Sequence, residues 1–155
     1  LIYDEPFVGL DPVSIELLVR FLRRRHFDPL LSRLVEARHP FRASPSLATL
    51  GAGVAGLPGV EALSGYLAVR DPLGRGVPVL LRQYLKLGGR VLGFHVDAGF
   101  GSCIDCLTVV DLRIAPDTVL GKYMPPEQLA SFRKYWKGRA PRLAAGRERV
   151  ARAAS

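Results

Sequence analysis

Two acids stand directly behind a short apolar run at the start of the chain. Leu1-Ile2-Tyr3 leads into Asp4-Glu5, then Pro6, and a few residues on into Gly9-Leu10-Asp11-Pro12. A carboxylate pair at the end of a buried strand suits nucleotide hydrolysis: the first acid can hold Mg²⁺ and the second can polarise the attacking water. A second chemical stretch lies further on. Asp97 and Phe100 mark a glycine-bearing turn, and Asp105 interrupts an otherwise apolar run, where a carboxylate must find a donor or shift its pKa. Cys103 and Cys106 have CxxC spacing, which raises metal or redox chemistry. Zinc needs two more ligands, and His26, His39 and His95 form no His-x-x-x-His pair, so no metal site is expected. A redox CxxC opens a helix, whereas Ile104-Asp105 and Leu107–Val110 read as strand, which points residues three apart to opposite faces. The thiols therefore read as incidental, and His95 as a satisfied strand side chain.

These residues need elements to position them. Val13 to Arg25 has helical spacing, with Ile15, Leu18, Val19 and Leu22 on one face. Asp11 or Ser14 suits the cap, Pro12 the first turn, and Arg23-Arg24-Arg25 a solvated C-terminal end. Residues 28–42 give a further short helix on Leu30, Leu31, Leu34 and Val35, stopped by Pro40. Residues 43–59 are rich in Ser, Ala, Gly and Pro and read as a loop or weakly helical connector. Val60 to Val69 follows as a short helix, and Asp71-Pro72-Leu73-Gly74 as a turn. Val77 to Leu87 is the most regular stretch: Val77, Leu80, Leu81, Tyr84 and Leu85 share one face, opposite Arg82, Gln83 and Lys86. Gly88-Gly89 ends it. Arg90 to Val96 alternates as a strand, 97–102 turns, and Cys103 to Leu112 is a second strand whose continuous apolar run implies burial on both faces. The two pair antiparallel. Residues 126–137 form a last helix carrying Leu129, Phe132 and Trp136. The Arg/Ala-rich end reads as a fraying tail.

At 155 residues, 48% hydrophobic and 23% charged, the chain has room for one ordinary core and is too apolar for a disordered tail. Its longest uncharged stretch, Ala43 to Val60, is broken by Pro45, Pro58 and several glycines, so it is no spanning helix, and no signal peptide opens the chain. A net charge of +8, mostly from arginine, favours anionic partners: nucleic acid, an anionic membrane face or an acidic carrier protein. Without an aromatic-interleaved RNA motif or zinc-finger spacing, no specific nucleic acid is expected. The chain opens on Leu1 rather than Met, which reads as a fragment, a processed product or an open gene call.

The opening LIYDEPFVGLDP resembles the Walker B motif and D-loop of ABC-transporter ATPases, closest to the ATPase subunit of Mla-type phospholipid transporters, over roughly residues 1–25. That resemblance implies Asp4 as the magnesium-associated acid, Glu5 as the catalytic base and Asp11 as the D-loop acid, with ATP and Mg²⁺ as cofactors and an ABC permease as partner. No Gly-x-x-x-x-Gly-Lys-Ser/Thr phosphate loop, LSGG-type signature or switch histidine accompanies it.

The stretch from Val77 to Leu112 is similar to the C-terminal part of bacterial GNAT-like N-acyltransferases, the hemolysin-related and ornithine-lipid-synthase group, with the match covering roughly residues 75–137. The matching residues are Pro78, Leu80, Leu81, Arg82, Tyr84 to Gly89, then Asp97, Phe100 and Asp105. The resemblance implies transfer of a fatty acyl group from an acyl carrier protein or acyl-CoA to an amine in lipid biosynthesis, with Asp97, Phe100 and Asp105 on the substrate side. The cofactor-side half of that fold, and any His-x-x-x-x-Asp motif, are missing from the sequence.

The expectation is therefore an α/β (α+β) chain: a partial GNAT-like unit of helix plus antiparallel strand pair, preceded by short helices. Its expected parts are a Walker B and D-loop remnant at 1–27, a helical or loop connector at 28–74, an acyltransferase-like unit at 75–140 and a basic tail at 141–155. As a fragment or fusion it is expected to be inactive alone, with an acyl carrier protein or an anionic membrane surface as partner. The expected location is cytoplasmic or peripheral to the inner membrane. The competing readings are an ABC ATPase fragment for phospholipid transport and a non-catalytic basic binding module.

Overall fold

Asp11-Pro12 starts the first helix as its chemistry requires. In the computed structural model, which describes residues 2–139 apart from the side chains of 2–5 and 55, the Asp11 carboxylate accepts from the amides of Val13 (2.9 Å) and Ser14 (3.1 Å). These are two of the amides that a helix start leaves unpaired. Helix α1 runs Pro12–Arg25 behind strand β1, Ile2–Pro6. Leu17, Leu18, Val19, Phe21 and Leu22 are all fully buried, so the apolar surface is wider than the expected single stripe. The reason is a second neighbour. Helix α2, Ala48–Ala55, packs on α1 where a connector was expected. Its small residues permit this approach: a Cβ on Gly51 would lie 2.1 Å from Cδ of Arg20. Arg20 itself is held by Glu16 (2.7 Å) and donates to the carbonyl of Ser44.

Helix α3, Val60–Arg70, and helix α4, Val79–Lys86, follow, with Leu63, Leu67, Leu81 and Leu85 turned into the same core. Leu80, placed on the buried face of α4 by its spacing, is half exposed. Between the helices the Asp71 carboxylate builds the turn. It accepts from the amides of Leu73 (2.8 Å) and Arg75 (3.1 Å) and from the Arg75 guanidinium (2.8 Å). The guanidinium in turn lies over Gly9, whose φ of +80° and lack of a side chain leave it room.

Strand β2, Arg90–Asp97, and strand β3, Cys103–Val109, form the expected antiparallel hairpin, so the architecture is a mixed α+β fold. The sheet has three described strands in the order β1-β3-β2. Strand β1 runs antiparallel to β3, from Ile2 opposite Val109 to Pro6 opposite Asp105. Strand β3 was expected to reach Leu112 and to be buried on both faces. It ends at Val109, and its burial alternates: Ile104, Cys106 and Thr108 are covered by the helices while Cys103, Asp105, Leu107 and Val109 are half-buried. The helices lie on one face only, so β3 has the pattern of a sheet packed on one side.

Residues 28–42 were expected to be helical; apart from one 3₁₀ turn at Leu31–Leu34 that buries nothing, they are irregular, with turns and bends. Their backbone groups go to the edge of β2 instead. Phe27 bridges Val91 and Pro40 bridges His95. The supporting bonds are Asp28 N–H to Val91 O (2.9 Å), Val96 N–H to His39 O (2.8 Å) and Phe41 N–H to Phe94 O (3.2 Å). An edge strand left open would invite pairing with another chain. The arginine run at the end of α1 is likewise engaged, though exposed to solvent: Arg23 donates to the carbonyl of Phe41 and Arg25 to that of Leu57 (2.6 Å).

The described chain forms two compact units, divided after Asp111. The second holds the short helix α5, Asp117–Leu120, and helix α6, Pro126–Trp136. Within it Arg133 donates to the carbonyls of Leu112, Arg113 and Ala115 and to the Asp117 carboxylate (2.8 Å from Nε). The expected tail at 141–155 lies outside the described residues. No helix among the described residues is long and apolar enough to cross a membrane.

The turn at Asp71 gives a pH-dependent prediction. Arg75, then the amides of Arg75 and Leu73, hold the Asp71 carboxyl at about 2, against an ordinary 3.8. The lower folded value means that its contribution is present above pH 4 and fades as the pH falls toward 2. Asp71→Asn is expected to lower the urea midpoint at pH 7, and the gap from the parent should narrow steadily between pH 4 and 2. A gap unchanged over that range would refute the assignment.

Candidate functional site

The sheet face away from the helices carries the site. Cross-strand partners point to the same side of a sheet, so the pairing of His95 with Asp105 and of Asp97 with Cys103 puts the imidazole and both carboxylates in one row. At the end of the row Asp97 accepts from the amides of Gly99 (2.8 Å) and Phe100 (3.2 Å), which shapes the tight link between β2 and β3. Phe100 projects from that link and is 63% exposed. Asp97 and Phe100 thus share one turn, while Asp105 stands further along β3.

Beside Asp105 lies an open groove of about 330 Å³ whose other wall is the segment from Val35 to Arg38. Its polar groups are Glu36, Arg38, His95 and Asp105. The geometry selects the tautomer of a neutral His95. The amide of His39 donates to His95 Nδ1 (3.2 Å), so the neutral ring carries its proton on Nε2 and offers a donor there. The His39 ring stacks on that of His95 with centroids 5.6 Å apart. One groove therefore combines acids, which can receive an ammonium group, with a guanidinium, which can receive a carboxylate.

Glu36, Arg38 and His39 are the members that sequence spacing missed, because a helical reading of 28–42 turns them into solvent. The signal for them was local: Pro29 and Pro40 bracket the segment, and the residue before a proline is biased toward extended backbone.

Neither cysteine is in a disulfide, and the two sit on opposite faces, Cys106 buried and Cys103 half-buried. Desolvation and the neighbouring Asp105 charge push the Cys103 thiol above its ordinary value, the reverse of what a reactive thiolate needs. His26 caps the end of α1, and burial, then Arg90 and Arg25, depress its pKa. No group of three metal-ligating side chains occurs among the described residues.

The acids of the chain opening are placed by backbone register alone: Asp4 lies opposite Leu107 and Glu5 opposite Cys106. Asp11 is engaged at the start of α1. A larger groove of about 730 Å³ runs past Pro6, Val8 and Leu10 to Ser64, Arg75 and Arg82. Its cations are already matched, Arg75 by Asp71 (2.8 Å) and Arg82 by Glu61 (3.0 Å), which leaves little attraction for a phosphate. The carboxylate–imidazole groove, which gathers two acids, a guanidinium and an imidazole, is taken as the candidate site. No family model, curated protein or solved structure matches the chain.

Proposed function

We propose that the chain is related to GNAT-like N-acyltransferases and that its groove takes the amine acceptor, an α-amino acid. The observation that carries this reading is the pairing of Asp105 with His95 across the hairpin, beside Glu36 and Arg38 in the same groove. Asp105 and Glu36 attract the ammonium group and Arg38 the carboxylate. The chemistry implied is thioester aminolysis. The bound ammonium first gives one proton to solvent; the free amine nitrogen then attacks the thioester carbonyl, a C–N bond forms, the C–S bond breaks, and the second proton lost by nitrogen ends on the departing thiol. The donor is an acyl carrier protein or coenzyme A thioester, and the +8 charge of the chain favours an acidic carrier. The hairpin on which part of the resemblance rests supplies one wall of the groove, through Gly93, Phe94, His95, Asp105 and Leu107, which supports placing the acceptor there.

The resemblance spans only about residues 75–137, so binding without turnover is the expected behaviour of the isolated chain. Titration with an α-amino acid bearing a second amine should shift the His95 ring resonances, and Asp105→Asn should weaken that binding about tenfold, the loss of one charge-assisted contact. Mass spectrometry after incubation with acyl carrier thioester should show no N-acyl product. Absence of amino-acid binding at millimolar concentrations would overturn the reading. Mg²⁺-dependent ATP hydrolysis abolished by Glu5→Gln would replace it with the ABC ATPase alternative.

A further inference from the structure

The second unit carries a surface that the acyl-transfer reading does not use. Residues 112–139 hold six cations, Arg113, Lys122, Arg133, Lys134, Lys137 and Arg139, against two acids, Asp117 and Glu127. Asp117 is already bound to Arg133. Helix α6 has an apolar stripe at Leu129, Phe132 and Trp136, yet none of its residues is buried. At its C-terminal end an open groove of about 870 Å³ is lined by Arg113, Ile114, Lys134, Trp136, Lys137 and Arg139, together with Arg133 and Gly138, and has no acid in its wall. Ile114 and Tyr135 are each 58% exposed.

We infer that this face docks on an anionic phospholipid bilayer, with Trp136, Tyr135 and Ile114 at the headgroup level and the surrounding lysines and arginines on lipid phosphates. Two features select a bilayer. Aromatic rings beside an exposed aliphatic side chain, flanked by cations on a short amphipathic helix, match the layering of a membrane interface. One face of each ring also carries a guanidinium: Arg113 lies over Trp136 (5.1 Å), Arg139 over Tyr135 (4.1 Å) and Arg133 over Phe132 (5.7 Å). Base stacking on single-stranded nucleic acid has to displace those cations or use the opposite face. This inference does not depend on the acyl-transfer reading and is read out without turnover.

Trp136 is the sole tryptophan of the chain, so its emission reports the patch directly. The full chain is mixed with vesicles of phosphatidylcholine alone, or with 30 mol% phosphatidylglycerol, the latter also made with brominated acyl chains. Partition is expected into the anionic vesicles only, with a blue shift of emission, quenching by bromine and loss of binding in high salt. Lys134→Gln with Lys137→Gln should weaken partition about twenty-five-fold, the product of two roughly fivefold losses. Both lysines are exposed, so an unchanged thermal melt confirms that the pair variant folds. Partition without bromine quenching would assign binding to another part of the chain and overturn the inference. So would equal binding by the pair variant, no binding to anionic vesicles, or tighter binding to an oligothymidylate with Trp136 quenched.

Discussion

Phe21→Ala is expected to cost the first unit about 3–5 kcal/mol, a large part of the 5–15 kcal/mol that holds a typical domain together. The ring is fully buried at the meeting point of α1 with the rest of the core, and the close packing of α2 on α1 leaves the site little freedom to collapse around a cavity. The urea midpoint should fall by roughly 2 M or more with an unchanged slope. Ile15→Ala makes the contrast. Ile15 belongs to the stripe that helical spacing alone picks out, but it is only partly buried, so its loss should cost less than half as much. Equal costs at the two positions would mean that the expected stripe, and not the wider buried surface, carries α1.

That contrast shows where sequence reading succeeds. Asp11-Pro12, Gly88-Gly89 and Asp97 act on backbone groups within five residues of themselves, so their effects are legible in the local sequence: a helix start, a helix stop and a tight strand link. The features that escaped are long-range. The opening was legible as a strand, but not its pairing with β3 about 100 residues on, nor the way the segment at 39–41 lies along the edge of β2 some 50 residues away. Helix α2 has little amphipathic pattern and forms because glycine and alanine let it lie close against Arg20, which composition alone presents as a connector.

The candidate site divides in the same way. Asp97, Phe100 and Asp105 lie on the hairpin and were nameable from their types. Their partners Glu36, Arg38 and His39 arrive from a segment whose apolar spacing mimics a helix. The imidazole is a further case. Nothing in the sequence specifies which ring nitrogen of His95 carries the proton, yet the His39 amide fixes it, and with it the ability of the ring to donate into a site holding two acids.

Gly89→Val is expected to cost about 2–5 kcal/mol and to disturb the groove along with the fold. The amide of Gly89 reaches back to the carbonyl of Tyr84 (2.8 Å) and that of Gly88 to Leu85 (3.0 Å), the paired bonds of a Schellman stop. A Cβ on Gly89 would sit 2.6 Å from that same Tyr84 carbonyl oxygen and 3.3 Å from Thr108 Cγ2 on the central strand. The obstacle on one side is backbone, which cannot rotate away, and on the other it is a fully buried side chain. Gly88 differs: it has φ +82° but open space around its Cβ direction, so Gly88→Ala pays only the left-handed conformation, about 1–2 kcal/mol. The order of the two losses therefore tests the assignment of roles, with Gly89 as the close-packed position and Gly88 as the conformational one. Moving Gly89 moves the start of β2, whose register sets His95 opposite Asp105, so the His95 ring resonances should shift in Gly89→Val even where the chain stays folded and stay in place in Gly88→Ala. Equal stability losses with the His95 signals unmoved in both would show that the glycine stop and the groove are independent.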